Sequence, residues 1–209
     1  NEGMLMIIKL MRKSIRKLCG LSWHQLQRSP TIDGFDYRML GSEYGGWYFV
    51  HEDSLYGSTI ISAGLGEDAS FDLAFAKQYS ATVIVVDPTP RAVKHYRSIL
   101  NSLGNPASEP YSSGGKQPIA AYDLTSLTSK NLQLIKKALW NDRGKVKFFE
   151  PKNPNNVSHS IINFQNNYST NSKYIEVEAT TLKELLSNLS LSKSQIPLMK
   201  FDIEGAEIE

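Results

Sequence analysis

The chain has 209 residues, 41% of them hydrophobic, and 23 Lys+Arg against 21 Asp+Glu give a net charge of +2. That length is enough for one domain with a sizeable core, and the near balance of charge argues against the basic stripe of a nucleic-acid-binding protein. The single cysteine, Cys19, cannot form an internal disulfide and fits a reducing, cytoplasmic setting.

Met4–Ile8 is an apolar run followed by Lys9, Arg12, Lys13, Arg16 and Lys17, the reverse of the charge order in a secretory signal. No stretch reaches the about 18–20 apolar residues that span a bilayer. Residues 4–27 read as helix. Residues 4–19 could lie on a membrane surface as a basic amphipathic helix, but a solvated basic face packed on its own domain is the simpler expectation. Ser29-Pro30 breaks the pattern and separates an N-terminal helical segment, residues 1–30, from an α/β domain over 31–209.

Residues 33–57 form a Gly- and aromatic-rich lead-in with an irregular strand near Trp47–Val50. Thr59-Ile60-Ile61 is a β-branched run that ends in the turn Ser62-Ala63-Gly64-Leu65-Gly66. A helical rhythm from Ala69 runs to about Tyr79. Ala81–Asp87 is a continuous apolar strand of the kind buried on both faces. Pro88-Thr89-Pro90 stops it, and a helix follows from about Arg91 to Leu103. After a loop over 104–118, the spacing predicts a helix over Leu127–Trp140. Lys145–Phe149 alternates as a half-exposed strand. Residues 151–173 are an Asn/Ser-rich excursion. Tyr174–Ala179 reads as a strand, Thr181–Leu191 as a helix and Pro197–Asp202 as a final strand. Strands alternating with helices imply a doubly wound, mostly parallel sheet with right-handed crossovers, and its ligands sit beyond the carboxyl ends of the strands.

The candidate site follows from that rule. Gly64 and Gly66 open the first turn, where a missing Cβ lets the backbone approach a ligand and the next helix offers N–H groups. Asp87 ends the next strand, 23 residues after Gly64, where a carboxylate can hold both hydroxyls of a ribose. Gly64–Ala69 also satisfies the dinucleotide fingerprint Gly-x-Gly-x-x-Ala, which leaves a nicotinamide-dependent oxidoreductase as the alternative. Glu67 and Asp68 argue against a diphosphate in that turn and favour the cationic S-adenosylmethionine. An ordinary tight turn, with Asp87 as a helix cap, is the plain structural explanation.

Lys200-Phe201-Asp202-Ile203-Glu204-Gly205-Ala206-Glu207 is the most specific stretch. It resembles the Lys-x-Asp-x-Glu-Gly-x-Glu hallmark of the FkbM family of S-adenosylmethionine-dependent methyltransferases. The resemblance extends to Leu40-Gly41-Ser42, Tyr44-Gly45-Gly46-Trp47, Ser62–Asp72, Val86–Pro90 and Thr181-Leu182 with Leu185, and it covers about residue 38 to the end. It implies a Rossmann-like class I methyltransferase fold and methyl transfer to a hydroxyl oxygen of a small molecule or glycan. Gly64 and Gly66 would pack on the methionine part of the cofactor and Asp87 would hold the ribose. Asp202 would lie near the methyl group as the candidate base, with His51 a distant second. Glu204 and Glu207 would orient the substrate. Many members carry an acid where this chain has Ser62, so the contact to the cofactor's amino group passes to Glu67 or Asp68, or through water. As plain structure, Asp202, Glu204 and Glu207 would be a helix cap and first-turn acids. Oxygen ligands clustered this way could also suit Mg²⁺ or Ca²⁺, but no metal is the simpler expectation.

The last residue follows the fourth principal strand by one short turn, so a truncated gene is expected, lacking later strands. The open edge would pair with a second copy or be covered by the Asn/Ser-rich excursion. A non-catalytic Rossmann-like binding module is the third reading. Asn156-Val157-Ser158, Asn167-Tyr168-Ser169 and Asn188-Leu189-Ser190 match the glycosylation pattern by chance in a sequence rich in Asn and Ser.

Overall fold

A computed structural model describes residues 34–151, 159–166 and 168–203, with backbone only at 164 and 165. The helix expected over 4–27, Cys19, Glu204 and Glu207 lie outside the described residues. The chain divides into two compact units, Asn1–Tyr37 and Arg38–Glu209. Of the first unit, the described part holds Phe35 and Tyr37, whose rings meet edge-on at 6.3 Å.

The second unit is built on a four-stranded parallel sheet. In chain order the described strands and α-helices are β1 (Tyr37–Leu40), β2 (Trp47–Val50), β3 (Thr59–Ala63), α1 (Ser70–Tyr79), β4 (Thr82–Val86), α2 (Pro90–Asn101), β5 (Leu132–Ile135), β6 (Ala138–Leu139), β7 (Gly144–Phe149), β8 (Tyr174–Thr180), α3 (Leu182–Asn188) and β9 (Met199–Phe201). The main sheet has the order β5-β4-β3-β9. Counted by position in the sheet this is 3-2-1-4, as in a doubly wound nucleotide-binding fold. Register is in phase across β3 and β4, with Ile60 opposite Val83 and Ala63 opposite Val86.

Alternation along the strands sends side chains to two cores. Ile60, Val83 and Val85 meet Phe71, Phe75 and Tyr79 of α1 and Ala92 and Ile99 of α2. Ile61, Ala63 and Val86 meet Leu185 and Leu186 of α3 on the other face. The helices have local starts and stops. Thr89 caps α2, accepting from Ala92 N at 3.4 Å, with Pro90 at the first helical position. Thr181 caps α3, accepting from Glu184 N. Ser80 ends α1 in a left-handed conformation at φ +50°.

One expectation is corrected. The helix expected over Leu127–Trp140 is instead the strands β5 and β6. Pairing decides it: Leu132 to Ile135 lie in parallel register with Val83 to Val86, and a partner remote in sequence overrides the local spacing. The sheet is also not the whole β structure. β8 pairs with β7 antiparallel and with β6 parallel, forming a separate three-stranded sheet whose strands come between β5 and β9 in the chain. The described part of the Asn/Ser-rich excursion joins this small sheet, with Ser160 opposite Phe149. Among the described residues β5 and β9 are the two outer strands of the main sheet. Among the described residues no helix is long and apolar enough to cross a membrane.

Candidate active site

The carboxyl ends of β3, β4 and β9 meet at the turn after Ala63. Gly64 has φ +90° and Gly66 φ +58°, conformations that cost a side-chain-bearing residue strain. The space at Gly64 goes to the protein itself. A Cβ there would strike the carbonyl of Asp202, which is drawn in because Asp202 N donates to Ala63 O at 2.9 Å.

Asp87 closes the turn from β4. Its Oδ2 accepts from Leu65 N at 2.9 Å and Gly66 N at 3.0 Å. Its Oδ1 accepts from Thr89 N at 2.8 Å and Thr89 Oγ at 2.7 Å. A carboxylate has about four acceptor positions, and internal donors fill them all. Asp87 therefore ties the glycine turn to the start of α2 and is 5% exposed.

Ser62 points beneath the turn and is fully buried. Its hydroxyl lies 3.4 Å from the Lys200 ammonium, which also donates to the Gly64 carbonyl at 2.9 Å. Asp72, wholly buried on α1, lies in the same pocket of polarity. Burial pushes its carboxyl up, while the charge of Lys200 and the hydroxyl of Ser62 pull it back. Neither Asp72 oxygen has a hydrogen-bond partner of ordinary geometry. In this chain Ser62 serves Lys200 and Asp72 rather than a surface that a ligand could reach.

Glu67 and Asp68 differ from one another. Glu67 stands between two cations, Arg91 at 3.7 Å and Lys116 at 3.8 Å. Asp68 is a brace. Its Oδ2 accepts from Ser42 Oγ at 2.6 Å and Gln117 Nε2 at 3.2 Å, and its Oδ1 accepts from Ser70 N at 2.9 Å. Gln117 is 2% exposed and also bonds the backbone of Ser112 and Gly114. Asp68 thus draws together the β1–β2 loop, the start of α1 and the loop over 112–117.

A second buried relay supports the same turn. Ala69 N donates to Tyr122 Oη at 3.0 Å, and the phenol lies 2.8 Å from His95 Nε2. Oη accepts from Ala69, and the imidazole tautomer sets which of Tyr122 and His95 donates to the other. Burial pushes the Tyr122 phenol up and holds His95 below its ordinary range.

Of the predicted residues, Gly64, Gly66, Glu67, Asp68, Asp87 and Asp202 come together at one sheet edge, with Ser62 underneath. Asp202 is half-buried at the end of β9. His51 does not join them. It bonds Tyr79 Oη at 2.9 Å, at the far end of α1. Lys200, Thr89, Gln117, Tyr122 and His95 were not legible as site residues. Lys200 and Thr89 carried a signal, through their places in the segments Lys200–Glu207 and Val86–Pro90. Among the described residues no group of three or more His, Cys, Asp or Glu could hold a metal.

The family model for the methyltransferase FkbM domain matches residues 58–209. The chain belongs to the FkbM methyltransferase family. The match contains β3, the glycine turn, Asp87, Gln117, Lys200 and Asp202. Ser42, which completes the Asp68 brace, lies before the matched span. The four-stranded order described above is the Rossmann-like α/β arrangement of this domain. Comparison with curated proteins and with solved structures gave no match.

Proposed function

We propose that the FkbM domain transfers a methyl group from S-adenosylmethionine to a hydroxyl oxygen of a small molecule or glycan in the cytoplasm. The observation that carries this reading is the meeting of the glycine turn, Asp87 and Asp202 at the ends of three adjacent parallel strands.

The residues fit the methyl donor. The turn is cut to the backbone by two positive-φ glycines, and carboxylates surround it. When bound, S-adenosylmethionine supplies an electrophilic methyl carbon on a sulfonium. Asp87 would hold the ribose by exchanging turn N–H donors for hydroxyl donors. Asp202, whose main chain is pinned to Ala63, would accept the proton of the acceptor hydroxyl. Holding oxygen and methyl carbon aligned is the larger part of the rate. Glu204 and Glu207 would orient the acceptor.

The charge argument against a dinucleotide is weaker than the sequence suggests, because Arg91 and Lys116 offset Glu67. Family membership, not turn charge, is what supports the methyl donor over a nicotinamide. Photolabelling with radioactive S-adenosylmethionine tests the proposal. Labelling that S-adenosylhomocysteine suppresses and NAD does not is the expected result. Labelling suppressed by NAD, or none at all, contradicts it.

A further inference from the structure

Lys200 sits on β9 and is 5% exposed, an unusual place for an ammonium. It lies 5.5 Å from the centroid of the Trp47 ring and donates to the Gly64 carbonyl at 2.9 Å. That carbonyl and the Leu65 N–H belong to one planar peptide unit. The N–H end of the unit is bonded to Asp87 Oδ2 at 2.9 Å. Two ionisable side chains, from the strands on either side of β3, therefore grip opposite ends of one peptide bond. Ser62 from β3 and Asp72 from α1 complete the surroundings of the ammonium.

We propose that Lys200 is a positioning residue, which holds the Gly64–Leu65 peptide against β9 so that the turn keeps its shape when Asp87 turns to a ligand. The reasoning is one of acceptor supply. All four positions on the Asp87 carboxylate are filled by Leu65, Gly66 and Thr89. A ribose hydroxyl can bond Asp87 only by displacing or sharing one of these donors. The turn then depends on Lys200 at its carbonyl end and on Gly64 N to Val86 O at 3.0 Å. Because Lys200 and Asp202 lie on one short segment, the same contact fixes the spacing between turn and Asp202. The ligand part of this inference rests on the proposed role of Asp87.

Amide hydrogen exchange in wild type, Lys200→Met and Lys200→Arg tests it, with and without S-adenosylhomocysteine. In Lys200→Met the amides of Leu65, Gly66 and Asp202 should exchange about tenfold faster, while those of Val83 and Val85 in mid-strand do not change. Lys200→Arg, which keeps charge and donor, should stay near wild type. Unchanged exchange at the turn overturns the proposal. So does an equal increase at all five amides, which would mark a general loss of stability. If Lys200→Met does not fold, the wild type carries the test through the scalar coupling between Lys200 Nζ and the Gly64 carbonyl carbon, whose absence overturns the proposal. In the ligand arm, Lys200→Met should bind S-adenosylhomocysteine about tenfold more weakly, and equal affinity overturns the ligand part. No binding by wild type together with the expected exchange pattern would sink the methyl-donor reading and leave the hold of Lys200 on the turn in place.

Discussion

The carbonyl of Asp202 occupies the space that a side chain at residue 64 would need. The glycine at 64 is therefore required by the contact between β3 and β9, before any ligand enters. Gly64→Ala should lose about 2–4 kcal/mol, from strain at φ +90° together with the displaced backbone of Asp202. Urea unfolding measures it, and a loss below about 1 kcal/mol would show that the strand end relaxes easily.

Asp68 is the hub of three segments, so its removal should loosen them together. Asp68→Ala leaves the Ser42 hydroxyl and the Ser70 N–H without this acceptor and takes one of three acceptors from the Gln117 amide. A cost of about 2–4 kcal/mol is expected. Limited proteolysis should cut the loop over 112–117 well before the rest of the chain. Unchanged protection of that loop would mean that Gln117 is held by Ser112 and Gly114 alone.

The relay from Ala69 through Tyr122 to His95 predicts a pH dependence. His95 is held below its ordinary 6.5, first by burial, with Lys116 acting the same way and Glu67 and Asp68 opposing. Its folded value lies below its unfolded value, so the unfolded chain takes up the proton more readily. The stability it contributes is complete above about pH 6.5 and is lost as pH falls below that. Wild type should lose more Tm between pH 7 and pH 5 than His95→Gln, whose side-chain amide can pair with the Tyr122 hydroxyl as acceptor or donor and does not titrate. Parallel Tm curves for the two proteins would refute the link.

Much of this arrangement was legible in the sequence. The runs Thr59–Ile61 and Ala81–Val86 gave β3 and β4, and the turn and Asp87 followed from their ends. The helix expected over Leu127–Trp140 failed because Leu127, Leu134, Ile135, Ala138 and Leu139 also satisfy helical spacing. What makes Leu132–Ile135 a strand is its register with β4, which no local window contains. The roles of Asp68, Gln117, Tyr122 and His95 were hidden for a related reason. Each depends on a partner at least 26 residues away, and polar residues in loops carry no periodic signal.

Asp202 should matter for chemistry more than for binding. Asp202→Asn keeps the backbone bond to Ala63 and removes the base. Methyl transfer to the acceptor should fall by about 10²–10⁴, with affinity for S-adenosylhomocysteine within about threefold of wild type. Retention of full activity would remove Asp202 from the proton transfer and turn attention to Glu204 and Glu207.

The central claim is that the turn held by Asp87 is the methyl-donor site. Calorimetric titration of S-adenosylhomocysteine into wild type and into folded Asp87→Asn tests it most directly. Saturable one-to-one binding by wild type, weakened at least about tenfold in Asp87→Asn, is the predicted result. No binding by folded wild type, or equal binding by both proteins, would contradict the account.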